Sequence, residues 1–199
     1  MDPTSRDDPR LVDAVRTHTD LLLTTATTLD DAAAPSLCVG WSRGHVLTHV
    51  ARNADGMAAL VRAAVDGTGE TMYASAEARD ADIDSGASRP LGELVTDVER
   101  SAATLAEALP RLGAEHRGIR LERIPGVYLM HAARIPFVRL RELVYHHVDL
   151  DAGFTFDDVE PWLLSLFLDD EDARLDAPAR HRARAGDLLW RARGIRREA

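Results

Sequence analysis

Between Arg139 and Asp149, four polar side chains recur at steps of three, four and three residues: Arg139, Glu142, His146 and Asp149. Steps of that size keep to one face of an α-helix, so the four form a continuous stripe. Two readings compete. A charged stripe on an amphipathic helix is ordinarily its solvated face. A carboxylate and an imidazole one turn apart can also reach a single cation, and a third ligand is then needed. His45 and His49, again one turn apart, offer it, because His49 lies close to the apolar positions Val46, Val50 and Met57. A lone histidine there is more often a satisfied core residue than a ligand. Two histidines and a glutamate from two helices nevertheless match catalytic zinc sites, which leave one coordination position for water or substrate. The candidate metal ligands are therefore His49, Glu142 and His146, and the candidate ion is divalent and zinc-like.

The neighbours of these residues receive other readings. His147 is rotated by about 100° from His146 and falls on the apolar side with Phe137, Leu140 and Val144, as core or support. His45 and Asp149 are candidates to orient a ligand histidine from outside the coordination sphere. Cys38 has no base beside it in the sequence and reads as a small buried hydrophobe rather than a nucleophile. Trp41 reads as an apolar anchor for the start of the helix that carries His49.

Composition narrows the classes. A single cysteine excludes an internal disulfide framework, a Cys-rich zinc site and a CxxC redox pair. A net charge of -9 disfavours nonspecific binding to nucleic acid or to an anionic membrane, since both need concentrated positive charge. No apolar run reaches the roughly 18 to 20 residues that span a bilayer, and Met1 to Arg10 carries no signal-like hydrophobic stretch, so a cytoplasmic location is expected. All 24 basic residues are arginine and alanine is abundant, which suggests a GC-rich genome.

The elements that must position the candidates follow from periodicity. Leu11, Val15, Leu22, Ala26 and Leu29 predict one long amphipathic helix, broken by Ala34-Pro35. Ser42 is placed to cap a second, running to about Val65 and ended by Gly67 and Gly69. Tyr73 to Ile83 predicts a shorter polar helix or ordered loop, and Pro90 starts a third long helix with Leu94, Val98, Ser101, Leu105 and Leu112 on one face. Gly113 to Arg134 is irregular, with short extended pieces. A fourth long helix runs from near Pro136 to Gly153, and Asp157 to Asp169 predicts one more. Four long helices predict an all-α fold, a four-helix bundle over residues 1–155, with a short C-terminal extension over 156–199 whose Leu188, Leu189 and Trp190 could dock back.

Three separated stretches carry a family resemblance: GWSRGHVLTHVARNADG from Gly40, YASAEARDADIDSGASRP from Tyr73, and RLRELVYHHVDLDAG from Arg139. In this order they resemble the mycothiol-dependent maleylpyruvate isomerase family of the DinB-like helical-bundle superfamily. The resemblance implies that His49, Glu142 and His146 hold the metal and that Arg79 faces the pocket, where its guanidinium can hold a substrate carboxylate. It also implies mycothiol as thiol co-substrate. The partners are then a small thiol and a small electrophile, with no nucleic acid or membrane, and the chain is expected as a monomer or homodimer. A mycothiol S-transferase and a non-catalytic metal-binding bundle are the alternatives. Full-length relatives carry an additional C-terminal α/β domain that supplies a further arginine, whereas about 46 residues follow Gly153 here. The segment from Ala185 to Gly194 resembles a piece of that domain's last helix, which makes Arg191 and Arg193 candidates for the missing cation.

Overall fold

A serine at position 42, extended in backbone and followed by a helix-forming run, starts the helix on which the molecule is organised. In the computed structural model, which describes residues 10–175, α2 spans Arg43–Asp66. The Ser42 side chain accepts from the His45 N–H, and the Ser42 N–H donates to His45 Nδ1, so two otherwise orphaned donors are satisfied reciprocally. Gly67 ends the helix at φ 66, a left-handed conformation that suits glycine. The expected cap and end of this helix are both observed.

α1 (Arg10–Thr27), α4 (Leu91–Ala108) and α5 (Ile135–Asp149) complete a four-helix bundle. α2 packs on α4 and α5, and α1 packs on the same two. Val46, Val50, Met57 and Val61 of α2 are buried against this frame, as are Leu94, Val98 and Leu105 of α4. On α5, Phe137, Leu140, Leu143 and Val144 are fully buried, each worth about 1.5–3 kcal/mol of transfer free energy. The short polar helix α3 (Ala76–Gly86) lies on α2. The irregular segment resolves into an antiparallel hairpin, β1 (Arg120–Ile124) with β2 (Val127–His131), pairing Arg120 with His131 and Ile124 with Val127.

Residues 153–175 form a separate unit, with a single turn at Phe156–Asp158 and helix α6 (Pro161–Leu175). The expected helix there starts four residues later than its sequence reading, at the proline. The candidates Leu188, Leu189, Trp190, Arg191 and Arg193 lie outside the described residues. No helix among the described residues is long and apolar enough to cross a membrane.

The contact of α2 with the end of α3 depends on one missing side chain. A Cβ on Gly44 would overlap the carbonyl oxygen of Ala87, a backbone atom that cannot rotate away. Gly92 in α4, by contrast, has open space around it. Gly44→Ala should therefore destabilise the protein by about 1–3 kcal/mol or more, as overpacking does. Gly92→Ala should be neutral or stabilising by up to about 1 kcal/mol. Urea unfolding of the two variants measures both, and equal effects would contradict the close approach.

Candidate metal centre

The stripe on α5 faces inward. Arg139 is fully buried and donates through Nη1 to the Val50 carbonyl at 2.9 Å and to Asn53 Oδ1 at 2.8 Å, which ties α5 to α2. Its pKa is pushed down to about 10 by burial. Asp149, at the other end of the stripe, is also buried. Of the two readings of this stripe, the solvated face is not the one observed: α5 turns it toward α2, whose Val50 carbonyl and Asn53 side chain receive Arg139.

Between those two ends, His49, Glu142 and His146 converge. A possible ligand atom from each lies within 4.8 Å of the others. His49 Nε2 is 3.1 Å and His146 Nε2 is 3.6 Å from the same Glu142 oxygen, Oε2. The two imidazoles meet edge to face at 4.6 Å between centroids. Side-chain exposure is 5% for His49, 20% for Glu142 and 17% for His146, so the cluster is sheltered yet reachable from solvent.

Each member has a defined protonation preference. Burial, with the nearby His146 charge, pushes the His49 pKa down to about 4. Arg79 Nη2 donates to His49 Nδ1 at 3.3 Å, and because arginine can only donate, the ring proton of neutral His49 sits on Nε2 and is given to Glu142. Burial works against the Glu142 carboxylate, but hydrogen bonds from His146 and His49 outweigh it and hold its pKa well below the usual range. Burial likewise opposes a charged His146, and hydrogen bonds with Asp149, Cys38 and Glu142 reverse the outcome, raising its pKa well above the ordinary value.

The flanking residues come from the loop that precedes α2. The Leu37 N–H donates to the Asp149 carbonyl at 2.9 Å, and Arg43 Nε donates to the Leu150 carbonyl at 2.8 Å, where a cation suits a helix C-terminus. These bonds fold the loop over the end of α5. Cys38 Sγ then donates to Asp149 Oδ2 at 3.0 Å, and the same oxygen is 2.9 Å from His146 Nδ1. Asp149 orients His146, as its spacing suggests. Cys38 departs from its reading: it is half-buried beside Asp149 and His146, and these three form a second convergent set on the opposite edge of the His146 ring. The Nε2 edge of the same ring faces His49 and Glu142.

Trp41 was expected only to anchor the helix. Its ring lies 5.4 Å from His49 and 6.3 Å from His146, with the Arg79 guanidinium 5.9 Å from its centroid, so it walls the cluster. Nothing periodic marks a loop residue, and only the tertiary fold reveals this one. His45 serves the cap of α2 and stacks on Trp41 at 6.3 Å, rather than orienting a ligand histidine. His147 points the other way, with Nε2 2.7 Å from Thr25 Oγ1 on α1, in agreement with its assignment to the apolar side. Arg79, on α3, is brought to the cluster as the family resemblance implies.

A DinB-like helical bundle enclosing two imidazoles and a carboxylate is the class defined by this fold and site. The family model described as the mycothiol maleylpyruvate isomerase N-terminal domain matches residues 11–151, and the chain belongs to this family of enzymes. A crystal structure of the mycothiol-dependent maleylpyruvate isomerase is similar, at 28% identity and a TM-score of 0.74, covering 81% of this chain and 68% of that one. A histidine-to-alanine mutant of such an enzyme matches with the same TM-score and coverage at 27% identity. Comparison with curated proteins gives no match.

The His49 preference makes a pH prediction. A group whose folded pKa lies below its unfolded value of about 6.5 costs stability as pH falls, because the unfolded chain takes up the proton first. The loss begins near 6.5 and is complete near 4. In metal-free protein it should reach the order of 3 kcal/mol relative to His49→Gln, which lacks the titration. Chemical denaturation of both proteins between pH 7 and 4 measures the difference, and a flat difference would show that His49 is not held neutral.

Proposed function

We propose that His49, Glu142 and His146 hold a divalent, zinc-like ion, and that the protein uses mycothiol as co-substrate in a maleylpyruvate isomerase-like reaction. The single observation that carries this reading is the convergence of two imidazoles and one ionised carboxylate, from two packed helices, within 4.8 Å. That donor set fits a divalent ion with a coordination position left open. When bound, such an ion supplies the acidity that deprotonates a coordinated thiol near neutral pH.

The chain's own groups do the rest. His49 is held neutral and would hold the ion through Nε2 once the proton given there to Glu142 has left that nitrogen, and Glu142 would offset the ion's charge. Asp149 fixes the plane of His146. Arg79, one side chain away from His49, is placed to hold a substrate carboxylate and to stabilise negative charge that develops on the adjoining carbonyl. Trp41 covers the imidazoles with an apolar face that limits water. In the reaction these roles serve, the thiolate sulfur bonds one carbon of a cis double bond and the electron pair moves to the carbonyl oxygen as an enolate. Rotation about the new single bond follows. Return of the electron pair expels the thiolate and leaves the trans isomer, so the thiol is regenerated.

His49→Ala should lose most bound metal while remaining helical, whereas His147→Ala should keep its metal at some cost in packing; metal analysis of the two purified proteins checks this, and equal loss would contradict the ligand assignment. Thiol binding should release a proton, weaken as pH falls and disappear in metal-free protein. Calorimetry in buffers of different ionisation enthalpy counts that proton. Arg79→Ala should retain these binding properties and lose turnover. Thiol binding of equal strength with and without metal would overturn the mechanism, and stoichiometric consumption of thiol would move the reading to a thiol S-transferase.

A further inference from the structure

The hairpin reaches the metal centre through a short backbone ladder. The Met72 N–H donates to the Glu122 carbonyl at 3.1 Å, and the Tyr73 N–H donates to the Arg123 carbonyl at 2.8 Å. This pairing joins β1 to the segment that leads into α3 and fixes Arg123 next to Tyr73. The Arg123 guanidinium carbon lies 5.8 Å from the centroid of the Tyr73 ring, and that of Arg79 lies 5.8 Å from the same ring. Arg79 in turn touches His49. Tyr73 is therefore shared by Arg79, which touches His49, and by Arg123.

Two guanidiniums on one ring repel each other. The Arg79 charge is offset by Asp80, through a 2.6 Å contact to a largely exposed carboxylate, where solvent weakens the pairing. Arg123 is half-buried, and among the described residues its side chain has neither a carboxylate nor a hydrogen-bond acceptor, only the Tyr73 ring. A chain with 33 acidic residues and a net charge of -9 has carboxylates to spare for pairing, yet leaves five donors here without an acceptor. A guanidinium so placed, sharing a phenol ring with another, is suited to an anion with two acidic groups.

We propose that Arg123, against the same Tyr73 ring as Arg79, is a second carboxylate-binding arm of the site and makes it selective for small dicarboxylates over monocarboxylates. This deepens the reading above, since it takes Arg79 as the cation for the first carboxylate. The second carboxylate binds Arg123, beside the Tyr73 ring that both guanidiniums approach. Because β1 sets the register of Arg123, the hairpin is a specificity element as well as a cover for α2.

The test compares succinate with propionate by isothermal titration calorimetry at fixed ionic strength, in zinc-loaded and in metal-free protein. The wild type should bind succinate about tenfold or more tighter than propionate. Arg123→Gln should remove that preference while zinc content and helicity stay unchanged, and Arg123→Lys should restore part of it. A preference that survives in Arg123→Gln, or a wild type that does not distinguish the two acids, overturns the proposal. Failure of the wild type to bind zinc, or propionate binding that is indifferent to Arg79→Ala, counts against the reading of the metal centre instead. The succinate-to-propionate ratio judges Arg123 in either case.

Discussion

Glu142 is an ionised carboxylate placed mostly out of water, and an ion in that position must be met by donors or countercharge. The polar side of the bundle is arranged around this requirement. α2 brings His49 and α5 brings His146 to the same carboxylate oxygen, so two helices that bury apolar faces elsewhere converge here through charge. Breaking that arrangement by removing one partner would strand the others, which makes the cluster costly to hold without a purpose. A divalent ion is the partner that such a donor set accommodates best.

The surroundings divide the work. Asp149 accepts from Cys38 and faces His146 Nδ1, which leaves the Nε2 edge of that imidazole toward Glu142. Arg139, buried one turn before Glu142, spends its Nη1 donor on the Val50 carbonyl and Asn53, and so locks the relative height of α2 and α5. The loop at residues 36–41 is bonded to the end of α5 and carries Trp41 onto both imidazoles. α3 contributes Arg79, and β1 sets Arg123 against the Tyr73 ring that Arg79 also approaches. Membership of the mycothiol maleylpyruvate isomerase N-terminal domain family is consistent with this division: the bundle holds the cluster, and the shorter elements approach it as a wall.

Much of this was legible in the sequence, for a physical reason. The 3.6-residue period exposes helices, and Ser42 with Gly67 marks the ends of α2, so the bundle and the one-turn pairing of Glu142 with His146 could be read directly. Facing could not. The stripe from Arg139 to Asp149 has the composition of a solvated face, and only packing against α2 shows that it points inward. Trp41 and Cys38 sit in an irregular loop with no period to interpret, and Arg123 gains its meaning from a backbone ladder between segments fifty residues apart. Such residues are placed by tertiary docking, which local spacing does not encode. Arg79 became visible through family motifs alone, since its own spacing is that of an ordinary surface arginine.

The central claim is that His49, Glu142 and His146 present an ion to a thiol. Zinc-edge X-ray absorption of Cys38→Ser protein tests it most directly, because that variant contributes no cysteine sulfur of its own. Without thiol, the zinc spectrum should show two imidazoles with oxygen donors and no sulfur. On saturation with mycothiol, one sulfur should enter the coordination sphere at about 2.3 Å. A spectrum that lacks the two imidazoles, or that gains no sulfur at saturating thiol, would contradict the account.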